Sequence, residues 1–184
     1  MNKKQLNEEY VILVDQNDCE IGIQEKIKAH QYGQLHRAFS VFIFSKHYRG
    51  NHFENSKLLL QQRQKNKYHS GGLWTNTCCS HPRPHENIIH AGERRLEEEV
   101  GLVVNLKKAG VFQYRAKLNQ NLIENEIDHV LVGSMDMDIQ AINFNQEEIS
   151  DVRWISVLEL QKDLKNRPKK YTSWLVAALK IALA

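Results

Sequence analysis

Residues 87–102, Asn-Ile-Ile-His-Ala-Gly-Glu-Arg-Arg-Leu-Glu-Glu-Glu-Val-Gly-Leu, constrain the fold more than any other stretch. They predict a helix over 87–100. Ile88, Ala91, Arg95 and Glu99 fall on neighbouring rows of a 3.6-residue repeat. Gly101 stands where a left-handed residue ends a helix. On the N-terminal side, the apolar run Tyr10–Val14 before Asp15-Gln-Asn-Asp18 reads as a strand and a turn, and 25–32 as a short helix. Residues 37–44, rich in β-branched and aromatic side chains, predict a buried strand; 45–56 is a polar loop, and 57–63 is expected to be the strand's hairpin partner. Gly71-Gly72 breaks the chain before Leu73-Trp74-Thr75-Asn76. Strands are expected at 109–117, 124–137 and 152–155, then helices at 157–164 and 173–184 around Asn166-Arg167-Pro168. Strands on both sides of a central helix, without regular βαβ alternation, imply an α/β chain: a mixed β-sheet with flanking helices.

A chain of 184 residues fits one domain and buries roughly 70% of its extended surface without disulfide staples. Its 25 basic and 22 acidic residues give a net charge of +3, too balanced for a dedicated nucleic-acid binder. No apolar run approaches the length of a membrane span, and the basic start lacks the apolar segment of a secretory signal. Three cysteines, two of them adjacent, suggest a reducing compartment, hence the cytoplasm. The nine histidines are many for this length.

Four groups of residues could carry chemistry. Ser80-x5-Glu86-x7-Arg94-Arg95-Leu96-x-Glu98-Glu99-x-Gly101-Leu102 resembles the Nudix box, a loop–helix–loop whose carboxylates converge on Mg²⁺ bound to a diphosphate. Two positions depart: Ser80 replaces a glycine, and Arg95 replaces a metal-binding glutamate. Taken alone, the helix reads equally well as an exposed charged surface. The second group precedes the box: Cys79 and His81, two residues apart, point to one side of an extended segment. The third is Glu124-Asn125-Glu126, whose carboxylates share a face if the segment is a strand, although spacing alone favours a solvated acidic turn. The fourth is His30 and His36, each by itself an ordinary surface or core histidine. His30, His36, His81, Glu124 and Glu126 together would make a three-histidine, two-carboxylate set suited to Zn²⁺, Mn²⁺ or Fe²⁺.

Thr75-Asn-Thr-Cys-Cys-Ser-His-Pro82, the degenerate box and Glu124-Asn-Glu126 together resemble the type I isopentenyl-diphosphate Δ-isomerases. Glu25-Lys26, Leu35–Ser40, Leu59–Arg63, Gln113–Ala116 and Ser173-Trp174 agree, so the resemblance runs from about Tyr10 to Trp174. One departure is Ser70-Gly71-Gly72, where the family commonly has Pro-Gly; it falls in a turn.

The resemblance implies one Nudix-like domain over 1–184, with a core at about 34–156 and N- and C-terminal additions. It implies an isomerase that moves a double bond between isopentenyl and dimethylallyl diphosphate through a tertiary carbocation. Cys79 and Glu126 would be the acid–base pair, Tyr114 the phenol bonded to that glutamate, and Trp174 the aromatic face toward the cation. His30, His36, His81, Glu124 and Glu126 would hold Zn²⁺, Mn²⁺ or Mg²⁺, and Glu99 a Mg²⁺ against the diphosphate. Lys26, Arg63, Lys67 and Arg95 would surround the diphosphate, Cys78 would be structural, and the enzyme would be a cytoplasmic monomer with a small-molecule substrate and no nucleic-acid or membrane partner. A Nudix diphosphatase would retain Glu98 and Glu99 but leave Cys79, the glutamate pair and the histidines unexplained. A non-catalytic diphosphate- or RNA-binding module would make the metal set ornamental.

Overall fold

The computed structural model describes residues 10–45, 56–118, 121–136 and 138–184. The first nine residues, most of the expected 45–56 loop, and Met137 lie outside them.

The described strands are β1 (Tyr10–Val14), β2 (Glu20–Glu25), β3 (His36–Phe44), β4 (Lys57–Arg63), β5 (Trp74–Thr75), β6 (Cys78–Ser80), β7 (Lys107–Lys117), β8 (Ile123–Ser134) and β9 (Ile149–Ser156). The helices are α1 (Lys26–Tyr32), α2 (Ile88–Val100), α3 (Val157–Asn166) and α4 (Leu175–Ala182). The expected mixed sheet is present. β3 runs parallel to β8 from His36↔Glu126 to Phe44↔Ser134, and β7 closes antiparallel on β8. β3 also pairs antiparallel with β6, through Ser40↔Cys79 and Val41↔Cys78.

The hairpin expectation for 57–63 holds in part: β4 is an antiparallel neighbour of β3. β4 meets β3 only at Phe44↔Leu58, and its long antiparallel partner is β9. Residues 45–56 exceed the roughly two to five residues of a tight hairpin loop, so nothing local enforces that pairing. Leu58 and Leu60 face one core and Leu59 the other, so β4 needs cover on both faces. The expectation also lacked β2, β5 and β6. β2 exposes Ile21 and Ile23, and β5 and β6 are held by cross-strand bonds rather than by a hydrophobic period.

Two cores sandwich the sheet. Phe39, Val41, Ile43 and Leu131 pack with Ala91, Leu96 and Val100 of α2 on one face. Phe42, Phe44, Leu58 and Val130 pack with Leu160 of α3 and Leu175, Ala178 and Leu179 of α4 on the other. β3 feeds both, which explains its apolar run Val41–Phe44.

The box helix α2 is bounded as its sequence implies. The Asn87 side chain accepts from Ile89 N at 2.9 Å and His90 N at 3.4 Å. At the other end Gly101 has φ 73°, and its N–H reaches Glu97 O at 3.0 Å. A Cβ on Gly101 would sit 2.5 Å from the Asn143 carbonyl oxygen. Gly101→Ala is expected to remove about 2 kcal/mol, from the left-handed backbone and the contact with Asn143. The thermal midpoint should fall by roughly 4–8 °C, measured by circular dichroism.

Candidate active site

Strand alternation assembles the site. In β8, Glu124, Glu126 and Asp128 share the face of Val130, which belongs to the core under α3 and α4. The β3–β8 register places His36 beside Glu126, and the β7–β8 register places Tyr114 on its other side. β6 sorts the two cysteines by the same rule. Cys78, paired with Val41, enters the α2 core, whereas Cys79, paired with Ser40, faces the cavity with His81. The cavity encloses about 960 Å³ of free space counting its open mouth.

His30, His36, Glu124 and Glu126 are buried, and the two glutamates line the cavity. Nδ1 of His30 lies 2.7 Å from Lys26 O, and Nδ1 of His36 lies 2.8 Å from Gln34 O. A carbonyl only accepts, so in the neutral rings each Nδ1 carries the proton and each Nε2 presents a lone pair. Those two Nε2 atoms and Glu124 Oε2 have no hydrogen-bond partner. Yet His30 Nε2 lies 3.3 Å from Glu124 Oε2, and His36 Nε2 lies 3.4 Å from Glu126 Oε1. Lone pairs facing carboxylate oxygens in a dry site repel one another unless a metal ion or a shared proton lies between them. His30, His36, His81 and Glu126 each offer a ligand atom within 4.8 Å of the others, and His30, His69 and Glu124 form a second such group. The nitrogen and oxygen donors of the first group fit one divalent ion, and Glu124 of the expected five-residue set is linked to them only through His30, which the two groups share. Glu99, the expected Mg²⁺ ligand, belongs to neither group among the described residues.

Burial lowers the His30 imidazole, and it lowers His81 to about 3 despite the opposing pull of Glu126. Burial and the charge of Glu126 push the Glu124 carboxyl up. Burial would also raise Glu126, but the imidazoles of His36 and His81 outweigh it and hold that carboxyl below the usual range. The pair therefore splits into one protonated and one ionised carboxyl when no ion is bound.

Tyr114 donates its phenol to Glu126 Oε2 at 2.6 Å. Burial raises the Cys79 thiol to about 12, against the opposing charge of Arg63, whose Nη1 lies 3.6 Å from Sγ. Trp174 lies just before α4, and its indole N–H donates to Asn76 Oδ1 at 3.2 Å. Its ring centroid is 6.3 Å from that of Tyr114, and the Arg63 guanidinium lies 5.7 Å from it.

The expected cationic residues gather along the same cavity, which Lys26, Arg63, Lys67 and Arg95 all line. Arg95 is held by carboxylates: it pairs with Glu99, with Glu98 at 3.1 Å and with Glu148 at 3.6 Å. Against burial, which would lower it, Glu99 and Glu98 raise its guanidinium further. Lys67 pairs with Glu148. The remaining box residues are structural: Arg94 forks onto Glu86 at 2.6 and 2.8 Å and reaches Glu98 at 3.0 Å. Glu86, Arg94 and Glu98 thus brace the loop–helix junction.

Sequence reasoning missed His69, Tyr68, Glu148 and Asp128, all of which line the cavity. Asp128 had a signal, since it continues the Glu124, Glu126 alternation; Ser40 Oγ donates to it at 2.7 Å. His69 and Glu148 stand on connections whose path carries no periodicity.

Residues 34–175 match the NUDIX domain. The chain is 48% identical over 172 residues to isopentenyl-diphosphate Delta-isomerase 2 of Aromatoleum aromaticum, covering 94% of this chain and 85% of that protein. It is 46% identical over 178 residues to isopentenyl-diphosphate Delta-isomerase of Photobacterium profundum, covering 96% and 95%. Among solved structures, a Deinococcus radiodurans protein superposes with a TM-score of 0.73 at 14% identity, covering 96% of this chain and 100% of that one. A MutT protein from Methanosarcina mazei gives 0.60 at 16% identity, covering 79% and 91%. These structural likenesses are likenesses of fold.

The buried unpartnered donors make ion binding and stability one measurement. Saturating Mn²⁺ at about 100 times its Kd should stabilise the protein by about 2.7 kcal/mol, raising the midpoint by roughly 5–10 °C over the chelator-treated form. Differential scanning calorimetry with and without chelator reads this, and equal midpoints would contradict the fit. The thiols give a second test. At pH 8 iodoacetamide should label the exposed Cys19 first, while Cys79, a thiol held up to about 12, resists until strongly alkaline pH. Peptide mass mapping against pH reads the order.

Proposed function

The chain belongs to the isopentenyl-diphosphate Delta-isomerases of the NUDIX family, and from that premise we propose which residues carry its reaction. The enzyme interconverts isopentenyl and dimethylallyl diphosphate, a step of isoprenoid biosynthesis. The double bond moves when one carbon gains a proton and the carbon nearer the diphosphate loses one. Cys79 and Glu126 serve as the acid–base pair on opposite faces of the allyl unit. The observation that carries this reading is that both line one cavity in complementary states: burial holds Cys79 as a thiol, and Glu126 accepts the Tyr114 phenol as a carboxylate does. One transferable proton thus sits on one side with an empty acceptor on the other, and the proton released by the substrate restores the count. Tyr114, bonded to Glu126 at 2.6 Å, orients that carboxylate and can bridge a proton to it.

A thiol raised to about 12 is a weak acid toward an alkene, so the cation must be stabilised. Trp174 presents an aromatic ring to the cavity. A desolvated indole face contributes about 2 kcal/mol toward a cation. His30, His36, His81, Glu124 and Glu126 hold one Zn²⁺, Mn²⁺ or Mg²⁺, which when bound withdraws charge from Glu126 and tunes its proton affinity. Glu99 serves a Mg²⁺ carried by the diphosphate, and Lys26, Arg63, Lys67 and Arg95 bind the phosphate oxygens. For Lys67 and Arg95 this means releasing Glu148, a competitor already in place. Residues of about 34–156 form the working core, with the N-terminal strand and helix and the C-terminal helices as additions. The enzyme works as a monomer and in the cytoplasm, the compartment being supported by three free cysteines.

The test is an assay of purified protein with Mg²⁺ and isopentenyl diphosphate. Dimethylallyl diphosphate should form without phosphate release. Cys79→Ala should abolish isomerisation, while Cys78→Ala, in the α2 core, should keep most of it. Equal loss in both, with folding intact by circular dichroism, would refute the division of roles.

A further inference from the structure

The connection between β4 and β5, residues 64–73, brings one more imidazole to the metal-binding cluster. His69 is 7% exposed, and its Nε2 lies 3.2 Å from Glu124 Oε1. Its ring stacks on that of His30, with centroids 5.8 Å apart at 27°, and meets Tyr68 edge-on at 4.4 Å. Its Nδ1 is 3.3 Å from Ser70 Oγ, a hydroxyl able to donate to it. With that hydroxyl donating, the neutral ring carries its proton on Nε2, the atom facing Glu124. The two oxygens of Glu124 are then divided. Oε1 meets His69, while Oε2 is buried without a hydrogen-bond partner beside His30 Nε2.

The backbone aims His69 inward by a fold-back that few residues tolerate. Arg63 Nη2 reaches His69 O at 3.4 Å, Gly72 N bonds Arg63 O at 3.0 Å, and Leu73 N bonds Ser70 O at 3.3 Å. Ser70 and Gly72 have φ of 51° and 76°. A Cβ on Gly71 would lie 2.4 Å from Lys65 O. The Ser70-Gly71-Gly72 stretch is therefore tied to the placement of His69 as well as forming a turn.

We propose that His69 is a positioning residue for Glu124: its Nε2–H holds Oε1, so that Oε2 is presented to the divalent ion. This rests on the five-residue ligand set proposed above, to which His69 is an addition. Partners of this kind typically change metal affinity 10–100-fold when removed.

The experiment is calorimetric titration of metal-free protein with Mn²⁺ for the unmutated chain, His69→Ala, His69→Asn and His69→Gln, with urea midpoints to follow folding. A Gln amide N–H can occupy the place of Nε2–H, whereas Asn is too short. The unmutated chain should bind one tight ion. His69→Ala and His69→Asn should keep that stoichiometry with Kd weakened about 10–100-fold, and His69→Gln should return to within about threefold. Should His69→Ala fail to fold, the near-isosteric comparison of Asn with Gln carries the test. Unchanged affinity in His69→Ala or His69→Asn overturns the proposal. So does loss of the tight ion in all variants including Gln, which would make the imidazole itself a ligand. Absence of a tight ion in the unmutated chain would instead sink the ligand set on which the proposal rests.

Discussion

The parallel pairing of β3 with β8 governs the rest of the molecule. Its register sets His36 against Glu126 at one end and runs through Val41↔Leu131 in the core to Phe44↔Ser134 at the other. The apolar part is anchored on both faces, by α2 on one side and by α3 and α4 on the other. A slip of one residue would turn Phe42 and Val130 out of one core and carry the carboxylates to the wrong face. Hydrophobic burial along the strands thus holds the polar end in place, where the lone pairs of His30 and His36 confront the carboxylates. That cluster is unfavourable by itself and becomes favourable around a cation. The core supplies the free energy that keeps it assembled.

The Nudix helix has been turned to a different use on the same scaffold. Glu86, Arg94 and Glu98 form the brace that holds the loop on the helix. At position 95 a guanidinium joins Glu99 and Glu148, and Lys67 shares Glu148 from the facing loop. In the proposed reading this mixed-charge rim exchanges an internal carboxylate for a phosphate oxygen. The residues proposed for proton transfer, by contrast, come from β6, β7 and β8, on the face opposite the α2 core. In the proposed reading, phosphate binding and proton transfer share one cavity and are served by different elements.

Much of the fold was legible because periodicity is local. The 3.6-residue rows of 87–100 and the closing Gly101 define α2, and the β-branched run of 37–44 marks a strand buried on both faces. Within the site, Cys79 with His81 and Glu124 with Glu126 were legible as pairs because residues two apart on a strand share a face. The partner of 57–63 was not, since a long connection leaves strand pairing to tertiary packing. β5 and β6 are two and three residues long, too short to show any period.

The sequence by itself determined which side chains could do chemistry: the histidines, the glutamate pair, the second cysteine, and an arginine where a hydrolase has an acid. Tertiary structure alone decided how they meet. Whether Glu124-Asn-Glu126 is a solvated turn or a buried strand depends on β8 being covered by its neighbours. Whether His30 is a surface residue or a ligand depends on α1 carrying it 0% exposed against Glu124. The arrival of His69 and Glu148 depends on turns whose course is set by backbone hydrogen bonds and close contacts rather than by side-chain pattern. Chemistry is a property of residue types and is written along the chain. Proximity between residues far apart in sequence is a property of packing, because burial selects strand partners after the local preferences have been spent.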